Sequence, residues 1–336
     1  MKIGLIGAGT MGTLHTRAAL GSPLAEFVAV CDSVPESAER VAALCGAGVY
    51  TDVDKMLKEA DIDAVLIATP DHLHAEPVIK AADAKKAILL EKPFASNRDD
   101  AGRMLEAIRR NGTFVQMAHL FRFIPFYIHM KAAAQAGELG EIVSTSATTL
   151  NKIFVPTVML KWAASSSPSW FLLSHNIDAI MWICDSRVKK LSAVGIKRKL
   201  VSMGIDTYDI IKVIAEMESG AISNFEANWI LPNTTPIAAN VQMLICGTEG
   251  TMKLGSGDPI ITKSTQTEYS IPGILDFDLY GYFSGLHRNI IETFARSVET
   301  KTPPVTNEID GYNTLCVLEA IDRSMQNGSA EITIEY

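Results

Sequence analysis

The sequence predicts an α/β chain in two parts: a parallel sheet covered on both faces over residues 1–121, then an α+β domain over 122–336 whose large sheet is mostly antiparallel. Three observations predict this. Short apolar runs alternate with helical patterns from the first residue through Phe114–Met117. A glycine triplet, Gly7-x-Gly9-x-x-Gly12, separates the first apolar run from the first helical pattern. Beyond Gly137 the rhythm changes to β-rich segments joined by tight turns, with one long helix among them.

Ile3, Leu5 and Ile6 form the first strand, and Leu14, Ala18, Ala19 and Leu20 mark the helix after the glycines. Strand, glycine turn and helix are the order that a dinucleotide phosphate site needs. Gly7 permits the tight turn, Gly9 keeps side chains away from a pyrophosphate, and Gly12 lets the helix lie against the strand. The N–H groups of the turn and of the helix start, Gly7 to Gly12 with Thr10 and Met11 among them, would hold that anion. The next apolar run, Phe27–Cys31, ends at Asp32, about twenty residues after the last glycine, as the fingerprint requires. Asp32 would take the adenosine ribose hydroxyls; the alternative is a cap on the following helix.

A helix over Pro35–Leu44 stops at Gly46, and a second covers Asp54–Ala60. The apolar run Ala64–Ala68 leads into Thr69-Pro70-Asp71-His72, then a helix over Ala75–Ala84. Ala87–Leu90 is a strand ending at Glu91-Lys92-Pro93. Ser96-x-x-Asp99 matches a helix cap, Asn111-Gly112 closes that helix, and Phe114–Met117 is the last strand of the series. Right-handed crossovers then give a parallel sheet whose ligands bind at the carboxyl ends of its strands. Asp32, Thr69-Pro70 and Glu91-Lys92-Pro93 all fall at such ends, so three turns point at one crevice.

In the second part a helix over Pro125–Ala136 precedes strands at Ile142–Thr149, Val188–Val194, Ile210–Glu216, Ala221–Trp229 and Asn240–Cys246. Short joins favour antiparallel pairing. A long helix over Ser169–Ile183 interrupts them, and helices near Leu286–Val298 and Glu308–Met325 close the chain. Helices on one side of such a sheet leave its other face to be buried, and a second subunit is a common solution.

With 336 residues, 48% hydrophobic and 20% charged, the chain has the balance of a globular protein. A net charge of -8 excludes a broadly basic surface for nucleic acid or anionic membrane. The five cysteines are scattered and form no C-x-x-C pair, as in a reducing compartment, and no run is long enough to span a membrane. The first strand begins at once, leaving no room for a signal peptide, so a cytoplasmic protein is expected.

The order of motifs resembles the Gfo/Idh/MocA oxidoreductases. Gly7–Gly12, Ala68-Thr69-Pro70 with His74, Glu91-Lys92-Pro93, Arg122-Phe123, His175 with Asp178, and Gly247-Thr248-Glu249-Gly250 stand in the family's order over essentially the whole chain. The resemblance implies an N-terminal Rossmann domain and a C-terminal domain with a mostly antiparallel sheet. It implies NAD(P)-dependent redox chemistry on sugars, inositols or related polyols, and a homodimer or homotetramer built through the open sheet face.

Lys92, at a strand's carboxyl end and followed by proline, would reach into the crevice and stabilise charge on a substrate oxygen. The resemblance places it beside nicotinamide and substrate; otherwise it is a solvated lysine at a loop start. Glu91 would orient Lys92 or meet the cofactor. His175 and Asp178 are three apart on one helix, hence on one face. The resemblance makes His175 the general base and gives Asp178 a buttressing role. Many members carry an aspartate four residues before the histidine; here it is Phe171, which can neither accept a hydrogen bond nor hold a charge, so a substrate with an apolar or deoxy edge is expected. His74 matches a position near the nicotinamide. Arg122 binds substrate or has a structural role. His15 reads as structural, one of Trp162, Trp170, Phe171 and Trp182 could stack on a sugar face, and Tyr280, Tyr282 and His287 are weaker candidates. No further ligands complete a metal site with His72 and His74.

The leading expectation is an NAD-dependent dehydrogenase, using NAD rather than NADP, in which His175 moves the hydroxyl proton and Lys92 polarises the oxygen. The alternatives are a dinucleotide-binding sensor or assembly protein without turnover, which Phe171 supports, and a glycoside-cleaving enzyme that recycles its NAD.

Overall fold

A computed structural model describes residues 1–160, 162–236, 239–255, 263–264, 269–270, 276–279 and 282–336. The chain forms two compact units, Met1–Phe123 with Gly273–Leu315, and Ile124–Pro272 with Cys316–Tyr336.

The main sheet of the first unit has six strands, β1 (Lys2–Ile6), β2 (Glu26–Cys31), β3 (Gly48–Tyr50), β4 (Ala64–Ile67), β5 (Ala87–Leu90) and β6 (Val115–Met117). They pair in the order β3-β2-β1-β4-β5-β6, every pair parallel. Ile3, Leu5, Val65, Leu66, Ile67 and Ile88–Leu90 are fully buried, which explains why these strands read as unbroken apolar runs: both faces are covered. The covering helices include α1 (Thr10–Ala19), α2 (Pro35–Cys45), α3 (Val53–Glu59), α4 (Ala75–Asp83) and α5 (Arg98–Asn111). α5 starts one residue later than the expected cap allows. Asn97, not Ser96, accepts the Asp100 N–H at 2.9 Å, and Asp100 Oδ2 accepts from Asn97 Nδ2 at 2.9 Å, so the pair that closes the helix start is shifted by one. Gly46 and Gly112 end α2 and α5 in the left-handed conformation.

The second unit holds α6 (Pro125–Gln135), β7 (Ile142–Lys152), α7 (Ser174–Cys184), β8 (Val188–Ile196), β9 (Ile210–Met217), β10 (Ile222–Leu231), β11 (Ala239–Gly247), β12 (Thr251–Leu254) and the short pair β13 (Lys263–Ser264) and β14 (Tyr269–Ser270). Its main sheet runs β12-β11-β7-β10-β9-β8 and ends on a short C-terminal strand at Ile332–Thr333. All pairs are antiparallel except β7 with β10. Ala147, Val213, Ala215, Phe225, Ala227, Met243 and Ile245 are buried on one face, while Ile214 and Ile222 on the other are 66% and 58% exposed.

The contiguous division at 121/122 is not what the chain forms. β15 (Asp276–Leu279), β16 (Tyr282–Gly285), α8 (Leu286–Thr300) and the first residues of α9 (Glu308–Gln326) belong to the first unit. The cause is packing. α8 buries Ile290, Ile291 and Phe294 and lies against α1 and β5. The second cut falls inside α9, and the C-terminal strand, β17 (Ile332–Thr333), pairs with β8.

Candidate functional site

In the first unit the glycine turn has the form a phosphate site requires. Gly7 adopts φ +98°, and a Cβ there would lie 2.6 Å from the Ala68 carbonyl carbon and oxygen. A Cβ on Gly12 would meet the Gly7 oxygen at 2.0 Å, so only glycine lets α1 approach β1 this closely. Among the described residues, no atom lies within 4 Å of a would-be Cβ on Gly9, and no side chain caps α1. Exposed Thr10 and half-exposed Met11 begin the helix. These residues fit a dinucleotide: the N–H groups at the start of α1 are left for an anion, with room above Gly9.

Asp32, half-buried after β2, accepts the Ala8 N–H at 2.7 Å and the Val34 N–H at 2.9 Å. It therefore ties the glycine turn to the entry of α2. A carboxylate oxygen has two acceptor sites, so each keeps capacity for a ribose hydroxyl. Arg40 of α2 reaches the same turn, donating from Nη2 to the Ala8 oxygen at 2.8 Å and from Nη1 to Thr13 Oγ1 at 3.2 Å. Sequence distance hid this contact, because α2 packs on α1 and the long side chain spans the gap.

The two other edge turns are joined by His74. This fully buried ring sets Nδ1 2.8 Å from the Pro93 oxygen and Nε2 3.1 Å from the Thr69 oxygen. His74 thus links the Thr69-Pro70 turn to the Lys92-Pro93 turn, whose peptide bond is cis. Glu91 is buried: its Oε2 accepts the Lys92 backbone N–H at 3.2 Å and its Oε1 lies 2.7 Å from His15 Nε2. Burial pushes its carboxyl upward, but the His15 hydrogen bond and charge, with Lys92 and His287, outweigh burial and hold it below the ordinary carboxylate range. Lys92 itself is half-buried.

Arg122 is 6% exposed and grips Asp310 with both carboxylate oxygens, Nη2 to Oδ1 at 2.9 Å and Nη1 to Oδ2 at 3.2 Å, with Nη1 also 3.2 Å from the Val305 oxygen. These contacts favour the structural alternative, because a bidentate, buried guanidinium is held by its own fold.

In the second unit, the expected helix over 169–183 is two elements. Ser169–Leu173 forms a π-turn, and α7 follows from Ser174. Phe171 therefore lies in the π-turn and His175 in α7, so the two are not joined by a continuous α-helical step. Phe171 packs edge-on to Trp162, centroids 6.2 Å apart, and lies 6.4 Å from the Trp229 ring. Trp170 donates from Nε1 to Asp322 Oδ2 at 2.7 Å, so Trp170 anchors the turn and Phe171 carries the aromatic cluster. His175 is half-buried and Asp178 fully buried on α7. Thr149 of β7 donates to Asn176 Oδ1 at 3.1 Å, and Lys131 Nζ donates to the Trp182 oxygen at 2.7 Å near the negative end of the helix. Tyr280 lies outside the described residues.

The cysteines are free, and burial pushes the Cys31 and Cys184 thiols up to about 11 and about 12, so neither is a nucleophile near neutral pH.

Residues 1–119 match the model of an oxidoreductase family described as an NAD-binding Rossmann fold, GFO_IDH_MocA, and residues 127–253 match a GFO/IDH/MocA C-terminal domain. Among curated relatives, an inositol 2-dehydrogenase of Rhizobium meliloti is 27% identical over 97% of each chain. An uncharacterized oxidoreductase of Streptococcus pneumoniae is 32% identical over 76% of this chain and 71% of its own. The solved scyllo-inositol dehydrogenase of Lactobacillus casei, with bound NAD(H) and scyllo-inositol, superposes with a TM-score of 0.86 at 20% identity, covering 99% and 98% of the two chains, and shows the same fold. The two domain models run in order over the glycine turn and the sheets described above, and the chain belongs to the GFO/IDH/MocA oxidoreductase family, NAD-binding through its Rossmann domain.

Proposed function

We propose that the protein is a cytoplasmic NAD-dependent dehydrogenase that oxidises a secondary alcohol of an inositol, sugar or related polyol, or reduces the corresponding ketone. The Glu91-Lys92-Pro93 turn carries this reading: it stands on the same parallel sheet edge as the glycine turn, with Lys92 held by its own backbone N–H. The inositol 2-dehydrogenase relative supports the substrate class. NAD, when bound, supplies the hydride acceptor or donor. The glycine turn and the start of α1 hold its pyrophosphate, and Asp32 holds its ribose. Lys92 hydrogen-bonds the reacting oxygen and stabilises the charge that develops there. His175 takes the hydroxyl proton in oxidation and returns it in reduction. The test is nicotinamide absorbance with a panel of inositols, sugars and polyols. Turnover of none of them, with NAD bound, would favour the sensor alternative. With Phe171 in place of the aspartate, substrates with an apolar or deoxy edge are expected to be favoured within that panel.

NAD is expected to be preferred over NADP. The Asp32 carboxylate would repel a 2′-phosphate. In Asp32→Ser that repulsion is lost while the guanidinium of Arg40 stays at the glycine turn. kcat/KM for NAD should fall and the gap between the cofactors narrow. An initial preference for NADP would refute the assignment.

We also infer a homodimer or homotetramer that covers the open sheet face bearing Ile214, Ile222 and Val194. Ile214→Glu with Ile222→Glu should lower the mass measured by light scattering towards that of one 36.4 kDa chain. An unchanged mass would place the interface elsewhere.

A further inference from the structure

Beside the Glu91–Lys92 turn the first unit buries two histidines between two carboxylates. His15 of α1 is fully buried, with Nε2 at 2.7 Å from Glu91 Oε1. Its ring meets that of His287 edge-on, centroids 5.1 Å apart and planes at 73°. His287, near the start of α8, is 5% exposed. Its Nδ1 lies 2.6 Å from Asp276 Oδ2, and its backbone N–H donates to Asp276 Oδ1 at 3.0 Å. The order is Glu91, His15, His287, Asp276, from four separate stretches of chain: the turn after β5, α1, α8 and β15.

This arrangement exceeds what packing needs. A buried carboxylate is costly unless donors surround it. Glu91 accepts from the His15 ring and the Lys92 backbone, and Asp276 accepts twice from His287. An ionised carboxylate only accepts, so His15 carries a proton on Nε2 and His287 on Nδ1. The other ring nitrogens, Nδ1 of His15 and Nε2 of His287, are buried and make no hydrogen bond among the described residues. The rings therefore keep their orientation through one carboxylate each and through each other.

We propose that His15 and His287 are a coupled pair of positioning residues for Lys92. His15 orients the Glu91 carboxylate, and Glu91 holds the Lys92 backbone through its second oxygen. His287, anchored by Asp276, fixes the His15 ring. Loss of any link loosens the turn that presents the Lys92 ammonium, without touching the glycine turn that binds the dinucleotide phosphates. The proposal rests on the assignment of Lys92 to the reaction, and the test separates the two.

The first measurement needs no turnover. The purified full chain should show two slowly exchanging downfield imidazole N–H resonances in its proton NMR spectrum. Glu91→Gln should move one and Asp276→Asn the other. Coupling predicts that Asp276→Asn also moves the His15 resonance; an unmoved His15 resonance overturns it. In turnover, His15→Ala should lower kcat at least about tenfold, the scale of a displaced catalytic group. The NAD dissociation constant and substrate KM should change less than about threefold. His15→Gln, whose amide can donate to Glu91, should recover most of the loss. If His15→Ala fails to fold, Asp276→Asn, which keeps the volume, carries the same kcat comparison. A uniform loss in kcat, KM and Tm that glutamine does not rescue would make the histidines structural and overturn the proposal. Coupled resonances alongside a fully active Lys92→Met would uphold the histidine pair and remove Lys92 from the chemistry. An inactive Lys92→Met beside a fully active His15→Ala would do the reverse.

Discussion

Lys92→Met should lower kcat by at least about a hundredfold, roughly 2.7 kcal/mol of barrier, the scale of losing one electrostatic donor in a site that excludes water. Methionine keeps an unbranched, apolar stem of similar reach and removes the ammonium, so the fold should survive. The turn gives the substitution its meaning. Its backbone is held on one side by Glu91 Oε2 and on the other by the His74 contact to the Pro93 oxygen, so the side chain leaves a fixed platform. NAD binding should change little, because the proposed phosphate site at Gly9 and the start of α1 does not include residue 92. The decisive pair of measurements is kcat and the NAD dissociation constant. Near-normal kcat in a folded variant would make Lys92 a bystander. Equal losses in both constants would make it a cofactor contact.

Much of the first unit was legible because burial on both faces writes itself into sequence. β5 appears with the expected bounds, Ala87–Leu90, and β4 differs by one residue. β3 was missed: three residues at a sheet edge, all at least partly exposed, leave no apolar run. The π-turn at Ser169–Leu173 was also invisible, since a change in hydrogen-bond step leaves aromatic spacing unmarked. The return of residues 273–315 to the first unit depends on which surface the apolar stripe of α8 meets, and a stripe does not name its partner. For the site the division is similar. Glycine roles and edge turns followed from local patterns. The Glu91–His15 and Arg40–Ala8 contacts join residues 76 and 32 positions apart, and only the folded sheet brings them together.

His175→Ala should lower kcat by roughly a hundredfold to ten-thousandfold, the range for a lost general acid–base group, while the NAD dissociation constant stays near its original value. The helix that carries it is well held. Thr149 ties Asn176 to β7, Lys131 closes the C-terminal end at Trp182, and Trp170 fixes the preceding π-turn to Asp322. Removing one half-buried imidazole from such a helix leaves the anchors in place, so lost turnover would report chemistry rather than unfolding. The pH profile gives the sharper sign. Oxidation needs a neutral ring to accept the hydroxyl proton, so the rate falls as pH drops and the ring becomes charged. Reduction needs the charged ring to donate, so its rate falls as pH rises. Both limbs should disappear in His175→Ala, and an alanine enzyme should be rescued in part by added imidazole. Phe171→Asp is the companion variant: a carboxylate in place of the phenyl ring should move substrate preference towards polyols with an additional hydroxyl. Full activity in His175→Ala, or limbs unchanged from the original protein, would transfer proton transfer to another group and leave α7 as scaffold alone.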